Sequence, residues 1–341
     1  MKVGINSNKM KDRIEWVDLA SGVMILWLLF FHALYPSIGA NVTGKIPFLY
    51  FFMPWFFFKS GMFFKIKESK LEFKGNFKKL MLDGFIKWSI IGYVAHILEH
   101  WLIYDDLSAR SAFYSPARSL LLGGCIPLNA ALWFLPVLFI IRQLFNYIKQ
   151  KIAPPIWAFL IMGFVVSTIC HFADTRFIPV YVKNFGWGLC CFAAGYWYSN
   201  SKCDKKYLIL ISAVVYIASL FTSIPDKYCV PQGHLISGLW IPASILSCIA
   251  FNYFCQVFDK FNFPVTVVRS LFKYIGRNSM IFYVSHYIVF RIVFDIIGIY
   301  KEKWYSSWVG LSICMICCFV VAFSVIRITK STKHQCHPLQ T

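Results

Sequence analysis

The chain has 341 residues, of which 58% are hydrophobic, 19% aromatic and only 14% charged. A soluble domain carries about 25% charged residues, so this composition excludes a soluble globular protein, a disordered chain and a collagen-like polymer. The net charge of +19 is distributed between apolar runs, which reads as membrane topology and not as a nucleic-acid surface.

A membrane-crossing helix needs about 20 mostly apolar residues. Ten stretches qualify: 16–36, 47–64, 80–103, 131–148, 154–171, 180–199, 206–224, 235–257, 274–299 and 306–326. The predicted fold is therefore an all-α integral membrane protein, a bundle of about ten transmembrane helices. It forms a single domain with a helical core at 13–327 and short basic tails at 1–12 and 328–341. The first apolar run is too long for the core of a signal peptide, so no cleavable leader is expected. The longest gap, 104–130, has room for a short re-entrant or surface segment, and no internal repeat is present. Most of the 12 cysteines lie in apolar runs, where the thiol packs as a small hydrophobe. The CxxC spacing at Cys314 and Cys317 falls mid-span and is read the same way.

Orientation follows from counting basic residues. With both termini in the cytoplasm, cytoplasmic segments carry 23 Lys and Arg and the opposite segments 8. Lys59, Lys87 and Arg291 remain within spans.

Ionisable groups inside a bilayer are costly and face the bundle interior or a cavity. In the first span, Ser21 and His32 differ by about 20° of azimuth, with Asp18 close to the same face. His32 stands about 16 Å beyond Ser21 along the axis, in the outer half. In the second span, Ser60 and Gly61 end an aromatic run, Phe-Met-Pro-Trp-Phe-Phe-Phe-Lys-Ser-Gly. They are candidates for a binding pocket or for close helix packing. In the third, His96-Ile-Leu-Glu99-His100 has the H-x-x-E-H spacing of a zinc-protease motif. With no third ligand evident in sequence, it reads as a polar cluster at the outer mouth, joined on that side by His171 and His234, and no metal is expected. In the ninth, Ser279, Tyr283 and His286 share a face, while Arg291 and Asp295 are spaced for an ion pair.

These patches together resemble the acyltransferase 3 family, bacterial membrane O-acyltransferases of surface glycans and lipids. The match is carried by Arg13-Ile-Glu-Trp-Val-Asp18-Leu-Ala-Ser-Gly22 running on to His32, by Met53-Pro-Trp-Phe-Phe-Phe-Lys-Ser60-Gly61, by Leu132-Trp133-Phe134-Leu135 with Leu138, and by Ile275-Gly276-Arg277-Asn278-Ser279 with Tyr283 and His286. Two departures stand out. Ser21 occupies the place of the family's basic residue, eleven positions before the histidine, and Lys59, Lys87 and Arg13 are the bases available to replace it. Leu82-Asp83-Gly84 lacks the proline expected near the start of the third span.

The resemblance implies transfer of an acyl group, most often acetyl from acetyl-CoA, to a hydroxyl of a polysaccharide, oligosaccharide or glycolipid. It also implies a bacterial plasma membrane and no nucleic-acid partner. His32 is the expected catalytic base, as a neutral imidazole suits proton abstraction near neutral pH; His286 is expected to assist. Asp18, Ser60, Trp133, Asn278, Ser279 and Tyr283 are the expected substrate-binding residues. Lys65, Lys67, Lys78, Lys79, Arg269, Lys273 and Arg277 form a basic cluster that would attract CoA phosphates. A covalent acyl-histidine relay and, outside enzymology, a transporter or flippase of a lipid-linked sugar are the alternatives; the latter predicts repeated halves and broken helices.

Overall fold

The computed structural model describes residues 14–37, 48–172, 178–201, 205–221, 236–260, 266–300 and 308–335. Arg13 and His234, both singled out in the sequence, lie outside them, as do the predicted N-terminal tail and the end of the C-terminal one. The described residues are helical throughout, in the order α1 (Glu15–Ser37), α2 (Phe52–Met62), α3 (Ser69–Asn76), a π-helical segment (Phe77–Ile86), α4 (Lys87–Leu102), a π turn (Arg110–Tyr114), α5 (Ser115–Gly123) and a 3₁₀ turn (Ala130–Trp133). There follow α6 (Phe134–Lys151), α7 (Ile156–Phe172), α8 (Val180–Asn200), α9 (Lys206–Leu220), α10 (Ile236–Lys260), α11 (Thr266–Arg277), α12 (Ser279–Tyr300) and α13 (Trp308–Gln335).

Many helices expose apolar residues while burying polar ones among the apolar core, unlike the helices of a soluble bundle. On α4, Ile90, Val94, Leu98 and Trp101 are exposed while His96 and Glu99 are buried. On α9, Leu210, Ile211, Val214 and Ile217 are exposed while Ser212 and Ser219 are buried. Such an exterior is compatible with lipid and not with water. Among the described residues, six helical stretches are long and apolar enough to cross a membrane: 15–33, 69–102, 130–151, 239–260, 279–296 and 308–329. α7 and α9 are apolar but shorter. α8 has the length and a lower apolar content; it sits where lipid does not reach, with residues from Asn184 to Ala194 almost all buried.

Helix pairs meet at reciprocal glycines. A Cβ on Gly22 would run into the Phe272 carbonyl of α11, and a Cβ on Gly276 into the Asp18 carbonyl of α1. Gly61 and Gly195 meet the Phe192 and Phe58 carbonyls in the same way, drawing α2 onto α8, and Gly163 and Gly186 draw α7 onto α8. Small residues that let backbones touch are a principal source of helix association where apolar burial contributes little. Aromatic side chains fill the space between, with Trp187 edge-on to Phe57 at 5.2 Å and to Trp240 at 5.6 Å.

The predicted spans correspond to observed helices, with three main differences; the last helix also runs on to Gln335, beyond the expected 326. The second span, expected over 47–64, is a helix of 11 residues, about 16 Å long, shorter than a bilayer core. The third begins earlier, because α3, the π segment and α4 form one continuous rod from Ser69 to Leu102. The π segment takes in Leu82-Asp83-Gly84, so the backbone irregularity expected from a proline is made by widened helix turns with Gly84 packed against Met280 and Leu135. The ninth is divided at Asn278 into α11 and α12. Most of α11 precedes the expected start of the ninth span at 274; its apolar residues recur at helical spacing with basic residues between them, a surface-lying pattern that a span-length window misses.

Since the atoms facing Gly61 are backbone, a larger residue there cannot be accommodated by a side-chain shift. Gly61→Val is expected to destabilise the folded protein by about 1–3 kcal/mol or more, seen as a lower unfolding temperature in detergent; Gly75→Ala, with open space around it, serves as the neutral control.

Candidate functional site

α1 and α12 lie side by side and run in the same direction. At one end Arg277, just before α12, donates from Nε to Asp18 Oδ2 at 3.1 Å. Further along, His32 Nδ1 and His286 Nε2 are 2.8 Å apart, their rings nearly coplanar in orientation with centroids 5.0 Å apart. The second nitrogen of His286, Nδ1, is 2.7 Å from the Tyr283 carbonyl oxygen. A carbonyl only accepts, so His286 Nδ1 carries a hydrogen. In the neutral ring Nε2 is then the acceptor, and the hydrogen between the two rings belongs to His32 Nδ1. The chain of donors thus leaves His32 Nε2 with a lone pair. His286 is fully buried and His32 only partly so, so His32 is the more accessible ring of the pair. Tyr287 stands edge-on to His32 at 5.7 Å and Phe290 edge-on to His286 at 5.7 Å, giving the dyad an aromatic surround.

The dyad's helix is tied to the 3₁₀ turn. The Tyr283 hydroxyl donates to the Ala131 carbonyl, and Asn129 Nδ2 donates to the Val284 carbonyl at 2.9 Å. These bonds set the turn that bears Trp133, which packs against Trp187 at 6.2 Å.

At the Asp18 end lies a cavity of about 1180 Å³. Six basic side chains line it, from Lys59, Lys65, Lys67, Lys79, Arg142 and Arg277, and one acid, Asp18. Its walls come from the start of α1, the segment after α2, the π segment, α6, the end of α8 and the α11–α12 junction, all predicted to lie on one side of the membrane. Lys59 Nζ donates to Ser21 Oγ at 2.6 Å, and Ser21 in turn donates to the Val17 carbonyl at 2.6 Å. A cation therefore stands at the point on α1 that the sequence leaves neutral. Arg142 is anchored by Glu72, which is buried and accepts from Nη2 at 2.8 Å and Nε at 3.2 Å. Asn76 Nδ2 also donates to Glu72, at 2.6 Å.

The structure brings His32 and His286 into contact and puts Asp18 and Ser279 on the cavity wall. Ser60 accepts from Arg142 Nη1 at 3.2 Å without itself lining the cavity, and its neighbour Gly61 makes the close packing contact. Asn278 and Tyr283 direct their polar groups to the Tyr274 and Ala131 carbonyls; their geometry is that of struts. Of the predicted basic cluster, Lys65, Lys67, Lys79 and Arg277 line the cavity, whereas Lys273 bridges Glu15 and Asp259 at 2.5 and 2.7 Å, pinning α11 to α1 and α10. Burial alone would lower the Lys273 ammonium; the hydrogen bonds and charges of Asp259 and Glu15 outweigh it and hold it above the ordinary lysine value. Glu72 and Arg142 were not singled out in the sequence. An acid in a basic loop and an arginine near a span end look like solvated topogenic charges until folding joins them.

Helices with apolar exteriors around a hydrogen-bonded histidine pair and a cationic cavity are the build of a multi-pass membrane protein. Compared with known families, the chain fits the acyltransferase domain over residues 14–327, nearly its whole length. The chain belongs to the acyltransferase 3 family, and its activity is acyl transfer. No curated protein and no solved structure matches it.

Glu72→Gln removes the charge that holds Arg142. Loss of a hydrogen bond to a charged, largely buried group costs about 1–3 kcal/mol, so the variant is expected to unfold at a lower temperature in detergent, with a smaller effect for Ser69→Ala at an exposed contact on the same rod.

Proposed function

We propose that the protein moves an acyl group, acetyl by the family resemblance, from acyl-CoA to a hydroxyl of a cell-surface polysaccharide, oligosaccharide or glycolipid. The observation that carries this reading is the hydrogen bond from His32 Nδ1 to His286 Nε2, continued to the Tyr283 carbonyl. His32 Nε2 takes the proton of the acceptor hydroxyl as its oxygen attacks the thioester carbonyl. The C–S bond breaks, CoA leaves as thiolate, and the proton on His32 neutralises it. While His32 is an imidazolium, His286 accepts its Nδ1 hydrogen and holds the ring in place, the part played by the third group of a nucleophile–base triad.

The six-cation cavity is the donor end. Its bases suit the phosphates of CoA, Arg142 and Arg277 in forked geometry and the lysines as point charges. Lys59, on Ser21, takes the place of the family's basic residue. Asp18 and Ser279 line the same space, with Ser60 acting through Arg142. The distance of about 16 Å from Ser21 to His32 along α1 is bridged by the extended pantetheine arm. Trp133 lies beside the dyad's helix as an apolar wall for the acceptor. On this reading the cavity opens to the cytoplasm of a bacterium, both termini lie on that side of its plasma membrane, and the acceptor approaches from the other.

Protein reconstituted in liposomes with labelled acetyl-CoA and a surface-glycan fraction is expected to label the glycan. His32→Ala is expected to lower the rate by about 10²–10⁴-fold, the range of general-base contributions, and His286→Ala by less. Persistence of label in His32→Ala would remove the base; a labelled acyl-histidine trapped without acceptor would favour the covalent relay. No transfer from any acyl donor by a folded protein would turn the reading toward a lipid-linked sugar transporter.

Lys59→Met is expected to raise KM for acyl-CoA about 10–100-fold, the loss of one charged hydrogen bond, with kcat changed much less. Unchanged KM would leave Ser21 without a replacement.

A further inference from the structure

His96, Glu99 and His100 occupy one face of α4, at i, i+3 and i+4, near the end of the bundle opposite the cationic cavity. One ligand atom from each lies within 4.8 Å of the others. His96 and Glu99 are only 4% and 6% exposed. His96 Nε2 is 3.0 Å from the Ser111 carbonyl oxygen, which only accepts, so the ring hydrogen sits on Nε2 and Nδ1 presents a lone pair. In the neutral ring that lone pair faces Glu99 Oε2 at 3.8 Å, acceptor against acceptor, a contact that a cation between them relieves. His96 Nδ1, Glu99 Oε1 and His100 Nδ1 are all buried without a hydrogen-bond partner among the described residues.

A fourth such atom comes from another helix. Asp295 on α12 adjoins Glu99, and its Oδ2 is buried and also lacks a hydrogen-bond partner. Arg291 Nη2 stands 3.8 Å from it, beyond hydrogen-bond length, while Tyr104 donates to the other oxygen at 3.3 Å. Asp295 lies on a helix far along the chain, so the spacing of the H-x-x-E-H motif does not point to it. Buried polar atoms left unmatched are rare in folded proteins; those of His96, Glu99 and His100 cluster together, with the Asp295 carboxylate beside Glu99, and a positive centre among them would satisfy the set.

We propose that His96, Glu99, His100 and Asp295 bind a divalent cation of the zinc type. Two imidazoles and two carboxylates are a zinc donor set, whereas calcium and magnesium prefer oxygen alone. The His96 Nε2–H bond to a backbone carbonyl is the outer contact that orients a metal-ligating histidine. Four protein ligands make a closed, structural site. Asp295 lies nine residues beyond His286, about 13.5 Å along α12, so the ion does not reach the dyad. It clips α4 to the helix that carries His286.

The test uses the full-length protein in detergent, free of any histidine tag, stripped with chelator and titrated with zinc chloride alone. About one zinc per chain by elemental analysis, together with a higher unfolding temperature on zinc addition, is the expected result. Asp295→Asn and His96→Gln, each preserving side-chain volume, are expected to weaken zinc binding at least tenfold and to abolish the thermal shift. Cobalt substitution is expected to give the visible absorption of a tetrahedral site in wild type and to lose it in both variants. Wild-type protein that takes up no zinc, or variants that hold zinc as tightly as wild type, would overturn the proposal and leave the four groups to share protons instead. None of these readouts depends on acyl transfer, so the site and the proposed reaction stand or fall separately.

Discussion

The approach of α1 to α11 organises the rest. With Gly22 under the Phe272 carbonyl and Gly276 under the Asp18 carbonyl, the two backbones come closer than any side chain would allow. That contact brings Arg277 onto Asp18 and Lys273 between Glu15 and Asp259, so the charges of α11 are matched as it is drawn in. α12 starts immediately after, alongside α1, and this register delivers His286 to His32. A bilayer supplies no water to cover a misplaced polar group. A slip of one residue would leave two imidazoles, an aspartate and a lysine unmatched at once, so the functional pair and the packing contact are stabilised by the same alignment.

The two ends of the bundle handle polarity differently. At the cavity end, six basic side chains and one acid line an open volume. Glu72 and Asp18 each hold an arginine in place there without neutralising the whole. At the far end of α4 and α12 the imbalance has the opposite sign: imidazole nitrogens and carboxylate oxygens face one another with Arg291 the nearby positive group. Between them the dyad is nearly self-sufficient, because the Tyr283 carbonyl assigns the hydrogens of both rings. Few groups beyond the reacting atoms are then needed to prepare the base.

Much of this was legible along the chain. Apolar run lengths located nearly every long helix to within a few residues, and azimuth on α1 and α12 put His32 and His286 on interior faces. The Arg291–Asp295 pair follows from helical spacing alone and is present at 3.8 Å. The short α2 and the lower apolar content of α8 could not be weighed in the same way, since a window of hydropathy does not distinguish a helix wrapped by protein from one wrapped by lipid. Glu72, Asn129 and the carbonyls of Tyr283 and Ser111 were invisible, because backbone acceptors have no signature in a sequence and a lone acid looks solvated until its partner is known.

The sequence by itself determined what is local or periodic: a helical membrane protein, the family to which it belongs, and the presence of histidines on inward faces. Those properties depend on residue type and on spacing within one helix. Only the tertiary structure decided which distant residues meet. Lys59 reaches Ser21 across 38 positions, His32 reaches His286 across 254, and Asp295 on α12 comes beside Glu99 on α4. The physical reason is the same in each case. A polar group in an apolar medium is satisfied by whatever partner helix packing brings within about 3 Å, and helix packing is settled by glycine contacts between segments that the chain itself keeps far apart.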